Sequence, residues 1–308
     1  MNKRILLYYK YVTLENPETI KAWQRELCES LELTGRIILA AEGINGTVCG
    51  SLEATQAYEL AMTAHPLFGG IDFKDSIVAA QYAYFPRLSI KIKPELVHIG
   101  LAPDQHKATD GGQHLSPAQA HALIAQAPEN LVILDFRNDF ESRIGAFENA
   151  IIPDIKYARE FPDYVDRNAE QFKDKQVLMY CTGGVRCERA SAYVKAATPA
   201  TQVFQISGGV HRYVEQFPDG FFRGKNYVFD GRIAVSVTND ILGTCDLCAT
   251  SCDEYTNCWN AKCNKHYIAC PACLTTWQNT CSDTCRELVA TGQVPKRPIR
   301  MRAIQPEE

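Results

Sequence analysis

Residues 177–197 join an apolar run, a cysteine, a pair of glycines and a helical pattern, and no other stretch constrains the fold as strongly. The apolar run at 177–180 predicts a buried strand that leads directly into Cys181. After the glycines, apolar residues recur at helical spacing from Ala190 to Ala197. A strand, a tight loop and a helix in this order are typical of open α/β sheets, in which ligands collect at the carboxyl ends of the strands. The stretch therefore predicts a parallel sheet with Cys181 at its reactive edge.

The residues that follow Cys181 predict that its thiol ionises at neutral pH. Gly183 and Gly184 allow backbone N–H groups to turn towards the sulfur, and the start of the helix adds partial positive charge. Arg186 adds a full positive charge. A lone cysteine before an ordinary turn is more often structural, but a thiolate in these surroundings is nucleophilic. We therefore predict that Cys181 is catalytic and assisted by Arg186. The active-site loop between them consists of Thr182, Gly183, Gly184 and Val185.

Other side chains are expected near this loop. Cys187 follows it closely, where its thiol could resolve an oxidised Cys181 or simply fill a small buried space. Asp135, Arg137 and Glu141 come at or just after another apolar strand, at 131–134, so they are expected to border the same edge of the sheet. Asp135 and Arg137 could support catalysis or form a structural ion pair, and the sequence favours neither.

A length of 308 residues predicts two or three domains in an α/β protein. In residues 1–102 the predicted order is β-α-β-β-α-β, with the last strand at 87–93, which is the ferredoxin-like α+β pattern. A polar linker is predicted at 103–113. Alternating apolar strands and helices at 114–222 predict a parallel sheet covered on both faces. Residues 223–308 form a cysteine-rich region with a basic tail.

Charge gives only local signals for nucleic acid, because the formal net charge is −4. The strand at 87–93 alternates apolar residues with polar and basic ones, and the C-terminal tail is basic and proline-rich. Solvated surface charges explain both patterns as well as phosphate contacts do. The candidate nucleic-acid contacts are Arg87, Lys91, Lys93, Lys296, Arg297, Arg300 and Arg302.

Nine of the thirteen cysteines lie between 245 and 285, and clustered cysteine pairs in a chain without a signal-peptide pattern predict metal binding in a reducing cytoplasm. No stretch is apolar over the length of a membrane span. Eight of these cysteines form four pairs, enough for two tetrahedral zinc sites. The predicted ligands are Cys245, Cys248, Cys258, Cys263, Cys270, Cys273, Cys281 and Cys285.

The spacing leaves the pairing of these cysteines open. A cross-braced arrangement joins the first pair to the third and the second to the fourth, whereas a sequential arrangement joins neighbouring pairs. His266 could replace one thiolate, and Cys252 is left over. An iron–sulfur cluster is the rival, although four pairs suit two closed zinc sites better.

The loop from Cys181 to Arg186 resembles the active-site loop of rhodanese domains, with four residues between cysteine and arginine. Cysteine-dependent phosphatases have five. The resemblance extends to Asp-Phe-Arg-Asn at 135–138, Val-Phe-Asp at 228–230 and the cysteine-rich region. Together with the ferredoxin-like N-terminal domain, these motifs resemble the bacterial oxygen-dependent tRNA uridine hydroxylase family over nearly the whole chain.

The resemblance implies a rhodanese domain at 114–222 and an oxidoreductase that converts the wobble uridine of a tRNA anticodon loop to 5-hydroxyuridine. It implies molecular oxygen as co-substrate and Cys181 as the catalytic residue. The sequence contains no flavin or nicotinamide fingerprint, so oxygen chemistry rests on the resemblance alone. The alternatives are a sulfurtransferase that carries a persulfide on Cys181, and a zinc-stabilised RNA-binding protein with an inactive rhodanese core. The sequence gives no indication of oligomeric state.

Overall fold

The computed structural model describes residues 2–102 and 104–297. Its N-terminal part is a five-stranded sheet with the strand order β4-β1-β3-β2-β5. The elements are β1 (Asn2–Tyr11), α1 (Pro17–Ser30), β2 (Thr34–Ala40), β3 (Gly43–Ser51), α2 (Leu52–Ala64), β4 (Asp72–Ala79) and β5 (Leu88–Ile92). The side chains of Asn16 and Ser51 cap the two helices by accepting N–H groups three residues further on.

The sequence prediction was wrong about which strand completes the ferredoxin-like pattern. The fourth strand of that pattern is β4, which pairs antiparallel with β1. The predicted strand at 87–93 exists as β5, but it is an additional edge strand parallel to β2. We missed β4 because it begins with the polar run Asp72-Phe-Lys-Asp-Ser76, which lacks the alternation of a half-buried strand.

The two faces of this sheet have different neighbours. One face packs on α1 and α2 through an apolar core that includes Leu6, Ile37 and Tyr58. The opposite face carries Leu7, Tyr9 and other side chains that line a cavity shared with the next domain. The sheet therefore contributes one wall of that cavity.

The central domain is a four-stranded parallel sheet with the order β6-β10-β9-β7, which confirms the predicted parallel α/β fold. Apolar cores lie on both of its faces. One core includes residues of α5 and α6, and the other includes residues of α3 and α7. The elements are β6 (Gln113–Leu115), α3 (Pro117–Gln126), β7 (Leu131–Asp135), α4 (Asp139–Ser142), β8 (Gly145–Phe147), α5 (Phe161–Arg167), β9 (Gln176–Tyr180), α6 (Val185–Ala197), β10 (Gln202–Ile206) and α7 (Gly209–Gln216).

The cysteine-rich region is built of short elements on the side of the central domain. Its first strand, β11 (Phe222–Tyr227), pairs antiparallel with β8 and so joins the two regions in one small sheet. The remaining elements are β12 (Ala234–Ser236), β13 (Tyr255–Asn257), β14 (His266–Ile268), α8 (Pro271–Thr276) and α9 (Asp283–Ala290). Within the described ranges, no helix is both long and apolar enough to cross a membrane.

Candidate active site and cysteine clusters

Cys181 lies at the carboxyl end of β9, an inner strand of the parallel sheet, directly before the tight loop that begins α6. The backbone N–H of Gly184 donates a hydrogen bond to Cys181 Sγ at 3.2 Å. Gly184 has φ of +100°, and a Cβ there would lie 2.7 Å from the hydroxyl oxygen of Tyr9. Glycine is therefore required both by the backbone conformation and by the close approach of the N-terminal domain.

The surroundings of Cys181 favour its thiolate. Burial of the side chain opposes ionisation. The Cys187 thiol, the charge of Arg186 and the backbone N–H groups of Cys187 and Arg186 outweigh that effect and lower the pKa of Cys181 to about 6. Cys187 is equally buried. In contrast to Cys181, its pKa is raised well above the ordinary value, because burial and the hydrogen bond to Cys181 both favour the protonated thiol. The contacts of the pair therefore favour a thiolate at Cys181 and a thiol at Cys187.

Glu141 of α4 holds the guanidinium of Arg186. Arg186 Nη2 donates to Glu141 Oε2 at 2.7 Å, and the Thr182 hydroxyl donates to the same oxygen at 2.8 Å. Burial of Glu141 opposes its ionisation, but the charge of Arg186 prevails and lowers the pKa of this carboxyl. Glu141 thus fixes both ends of the active-site loop, in the crevice where the sequence led us to expect it.

Asp135 and Arg137 form an ion pair with no solvent exposure, with Arg137 Nη2 2.7 Å from Asp135 Oδ2. The hydroxyls of Tyr180 and Ser142 also donate to Asp135, each at 2.7 Å, and Arg137 donates to the backbone oxygen of Gly145. Every one of these contacts is internal to the domain. Of the two interpretations left open by the sequence, the geometry favours the structural ion pair.

A cavity of about 370 Å³ lies between the N-terminal sheet, the active-site loop and the start of the cysteine-rich region. Its wall includes Thr182, Gly183, Val185 and Arg186 from the loop, and Phe229 from the third region. Cys181 itself is fully buried beside this wall. The volume falls in the range of sites for small organic ligands.

The N-terminal sheet supplies side chains to this site that the sequence analysis missed. Tyr9 donates a hydrogen bond to Glu188 Oε1 at 2.8 Å, and Tyr11 donates to the backbone oxygen of Val185 at 3.2 Å. Lys74 of β4 also lines the cavity, although its side chain is only 1% exposed. A buried lysine in a polar strand carries no local signal in the sequence.

The predicted nucleic-acid contacts lie in two places. Arg87, Lys91 and Lys93 are exposed at the edge strand β5. Lys91 is paired in register with Ile38, which lines the cavity, so this lysine is on the cavity side of the sheet. Lys296 is exposed, with its ammonium 5.7 Å from the centre of the Trp259 ring, and Arg297 donates to Asn264. Arg300 and Arg302 lie outside the described residues.

The eight predicted cysteine ligands form two groups of four, in the cross-braced arrangement. In each group all four sulfur atoms lie within 4.8 Å of one another. Zinc–sulfur bonds of about 2.3 Å place sulfurs about 3.8 Å apart on a tetrahedron. Cys248 and Cys270 are 3.7 Å apart, and Cys263 and Cys281 are 3.6 Å apart. The groups are Cys245, Cys248, Cys270 and Cys273, and Cys258, Cys263, Cys281 and Cys285.

Two other candidates from this region stand outside both groups. His266 contacts Asn257 Oδ1 at 3.1 Å through its Nδ1 atom. Cys252 is buried and belongs to neither group. Each group can therefore hold a metal ion with thiolates alone, which is the donor set that structural zinc takes.

The parallel sheet, the cysteine at the end of its inner strand and the short loop to Arg186 define a rhodanese-type cysteine domain. The family model of the "Rhodanese-like domain" matches residues 116–216. The family model described as "UPF0176 acylphosphatase like domain" matches residues 3–96, and the one described as "Rhodanase C-terminal" matches residues 223–286. The chain is a rhodanese-domain protein with an acylphosphatase-like N-terminal domain.

Curated relatives narrow this class to one family. A protein of Corynebacterium jeikeium named tRNA uridine(34) hydroxylase is 38% identical over 301 residues, which cover 93% of this chain and 96% of that protein. A Bacillus cereus protein of the same name is 40% identical over 288 residues, which cover 92% of this chain and 89% of that protein. Rhodanese-like domain-containing protein 6 of Arabidopsis thaliana is 39% identical, covering 94% of this chain and 54% of that protein. The chain belongs to the tRNA uridine(34) hydroxylase family, which confirms the resemblance found in the sequence.

Proposed function

We propose that this protein is an enzyme that hydroxylates the wobble uridine of tRNA to 5-hydroxyuridine, with Cys181 as its nucleophile and molecular oxygen as co-substrate. The observation that carries the proposal is the ionisable thiol of Cys181 beside a cavity of about 370 Å³. The names of the relatives, which specify uridine 34 of tRNA, support the substrate. The cytoplasm, which holds tRNA and keeps thiols reduced, is the proposed compartment.

The chemistry of uracil explains why a thiolate is needed. C5 of uracil is not electrophilic, so water cannot add a hydroxyl group there. A thiolate can add to C6, which turns the C4 carbonyl into an enolate and makes C5 electron-rich enough to take up oxygen. The loop N–H groups and Arg186 would stabilise the anion, as an oxyanion hole does. C5 then forms a bond to one atom of O2, and a thiol reductant supplies the two electrons that cleave the O–O bond, so that the second oxygen atom leaves as water and C5 keeps a hydroxyl group. Elimination of Cys181 from C6 with loss of the C5 proton then restores the C5–C6 double bond.

The surface around the cavity suits a single-stranded loop of RNA. Tyr157 and Phe229 line the cavity and are about half exposed, 54% and 46%, so their rings are available for stacking on bases. An anticodon loop presents its bases largely unpaired, so the target base can enter a pocket at modest cost. The proposed phosphate contacts are Arg87, Lys91, Lys93, Lys296 and Arg297, together with Arg300 and Arg302, which lie outside the described residues. Their positive charges predict that tRNA binding weakens with salt.

The two cysteine groups are proposed to hold structural zinc, one ion each. Their four thiolates leave no open position for substrate, as is usual for structural zinc sites. A short region with few apolar residues needs such a link to fold. Zinc is therefore assigned to stability rather than to the reaction.

A nucleoside assay tests the proposal. Cys181→Ser should abolish formation of 5-hydroxyuridine, because a hydroxyl group at this position does not ionise at neutral pH. The same variant should still bind tRNA with an affinity that falls as salt is raised. The control is Cys49→Ala, which removes a buried thiol from the N-terminal domain and should keep full activity. Both variants are compared by mass spectrometry of digested tRNA.

A persulfide-carrying sulfurtransferase predicts the reverse result. Wild-type protein would then turn over thiosulfate rapidly, and tRNA binding would be absent or independent of salt. Full 5-hydroxyuridine formation by Cys181→Ser would also refute the role given to this residue.

A further inference from the structure

Lys74 is a lysine buried at the wall of the active-site cavity. Its side chain is 1% exposed, and its ammonium contacts Asp72 at 2.8 Å and lies 5.2 Å from the centre of the Tyr9 ring. Lysine is rarely buried without a partner or a task. Asp72 supplies only part of an explanation, because this carboxylate is half exposed and also bound by Arg212.

The strand register places Lys74 next to the active-site loop. Lys74 is paired with Leu7 across β4 and β1, so both side chains are on the cavity face of the sheet. A Cβ on Gly183 would lie 3.1 Å from Leu7 Cδ2, and a Cβ on Gly208 would lie 3.1 Å from Lys74 Cε. Lys74 therefore reaches the place where the loops that follow β9 and β10 meet.

Those two loops are joined at Cys181. The backbone N–H of Val210 donates to the carbonyl oxygen of Cys181 at 2.9 Å, and that of His211 donates to Thr182 at 3.0 Å. Cys181 and Lys74 also interact electrostatically: burial prevails and, with the charge of Arg212, lowers the pKa of Lys74, whereas Asp72 and the thiolate of Cys181 oppose that shift. The two charges thus favour each other across the boundary between the domains.

We propose that Lys74 is a second cation of the active site, and that its ammonium group binds the anionic oxygen formed on the pyrimidine ring when Cys181 adds to it. The inference rests on the proposed hydroxylation, and it assigns the N-terminal domain a direct part in the reaction. Arg186 is already held by Glu141 through two hydrogen bonds, so its charge is largely matched within the domain. Lys74 shares the carboxylate of Asp72 with Arg212, and its ammonium group has three N–H donors, which leaves donors for a ligand.

The step is balanced without an oxidant. The Cys181 sulfur forms a bond to C6, and the C5–C6 electron pair moves so that the C4 oxygen becomes an enolate oxygen. Lys74 donates a hydrogen bond to that oxygen. When Cys181 later leaves, the carbonyl forms again and Lys74 keeps its proton.

Lys74→Met tests this role because it keeps the length of the side chain and removes the charge. Loss of one donor to a developing anion typically costs about 100-fold in kcat. We expect a loss of that size in 5-hydroxyuridine formation, with little change in the KM for tRNA, and a milder loss in Lys74→Arg. The control is Lys21→Met, which removes a lysine paired with Glu18 on the far helix and should leave kcat unchanged.

A second measurement separates this role from a structural one. The rate at which iodoacetamide alkylates Cys181 is followed against pH by mass spectrometry, and Lys74→Met should shift that profile to higher pH. The wild-type protein and the Lys74→Met variant have the same other ionisable and charged groups around Lys74 and Cys181, so a shift between them reports the loss of the ammonium group. They are Asp72, Arg212, Tyr9, Tyr11, Glu188, Arg186, Cys187 and His211.

The outcomes are distinguishable. If wild-type protein makes no 5-hydroxyuridine, the proposed function fails. If wild-type protein is active and Lys74→Met retains kcat within about threefold, the role of Lys74 is refuted while the function stands. An unchanged alkylation profile in a folded Lys74→Met variant also overturns the inference, because it places the ammonium out of reach of Cys181.

Discussion

Cys181 and Cys187 carry the same thiol group, and their different contacts drive them to opposite protonation states. Both are fully buried, so burial alone would keep both protonated. Cys181 is at the end of a strand, where it receives N–H groups and the charge of Arg186. Cys187 is already inside α6, and its thiol serves as a donor to Cys181. The different partners of the two thiols thus decide which sulfur is the expected nucleophile.

This difference predicts a pH dependence. The thiolate of Cys181 is the reactive form, so kcat/KM should rise with pH through about 6 and level off above it. Cys187→Ala removes a donor to the thiolate and should move this rise to higher pH without abolishing activity. Cys28→Ala, which removes a buried thiol from the N-terminal core, is the control and should leave the profile unchanged.

The measurement is kcat/KM from about pH 5 to about pH 9, since this ratio reports groups of the free enzyme. Complete loss of activity in Cys187→Ala would contradict its secondary role. It would then favour the interpretation in which Cys187 resolves an oxidised Cys181.

At the scale of elements, the active-site loop is shaped by a strand from another domain. In the loop between β9 and α6, position 184 accepts only glycine. The φ of Gly184 is +100°, and Tyr9 of β1 occupies the space that a side chain would need. Tyr9 is itself anchored to Glu188 of α6. The strand and the loop therefore fit each other through a glycine and a hydroxyl group.

Gly184→Ala should reduce activity strongly and destabilise the protein more than an alanine at an open glycine. Gly70 is the matched control, because its φ is +72° and no atom lies within 4 Å of an added Cβ. Backbone strain of this kind costs about 1 kcal/mol for an alanine, so Gly70→Ala should lose about that much and keep its activity. Urea unfolding and the nucleoside assay measure both effects. Equal losses of stability and activity in the two variants would show that the contact with Tyr9 contributes to neither.

At the scale of the whole molecule, the cysteine-rich region packs against α4, the helix that carries Glu141. Phe140 of α4 packs in the same apolar core as several of the clustered cysteines. Tyr255 donates a hydrogen bond to the backbone oxygen of Phe140 at 2.8 Å, and Arg143 contacts Asp246 at 2.6 Å. The next residue after Phe140 is Glu141, which holds Arg186. The cysteine-rich region is thus connected to the active-site loop through one short helix.

Metal loss should therefore weaken both stability and activity. Wild-type protein purified under reducing conditions is expected to contain about two zinc ions per chain, if four thiolates serve each ion. Cys248→Ser should lose one of them, unfold at lower temperature and lose part of its activity. Cys252→Ser changes a cysteine of the same region outside both groups and should keep both ions.

Elemental analysis and thermal unfolding test this pair of variants. A wild-type protein with no zinc and eight freely reacting thiols in this region would rule out the metal assignment. Equal zinc loss in both variants would rule out the grouping.

The sequence alone determined the features that are written in short stretches of chain. The strand, glycine loop and helix around Cys181 were predictable because the apolar run, the glycines and the helical spacing are contiguous. The parallel sheet followed from the alternation of strands and helices. The number of cysteine pairs likewise indicated two metal sites, since four thiolates complete a tetrahedron.

The tertiary structure decided what depends on contacts between distant residues. Spacing allowed both sequential and cross-braced cysteine groups, and only the fold brought the first pair to the third. Glu141 was expected in the crevice, but its pairing with Arg186 appeared only in the folded chain. Lys74 could not be assigned from the sequence, because the polar residues of β4 hid its strand. The contact of Tyr9 in β1 with Glu188, 179 residues further on, likewise appeared only in the folded chain. Local pattern fixes an element, whereas the charge and shape of a site arise where elements from different domains meet.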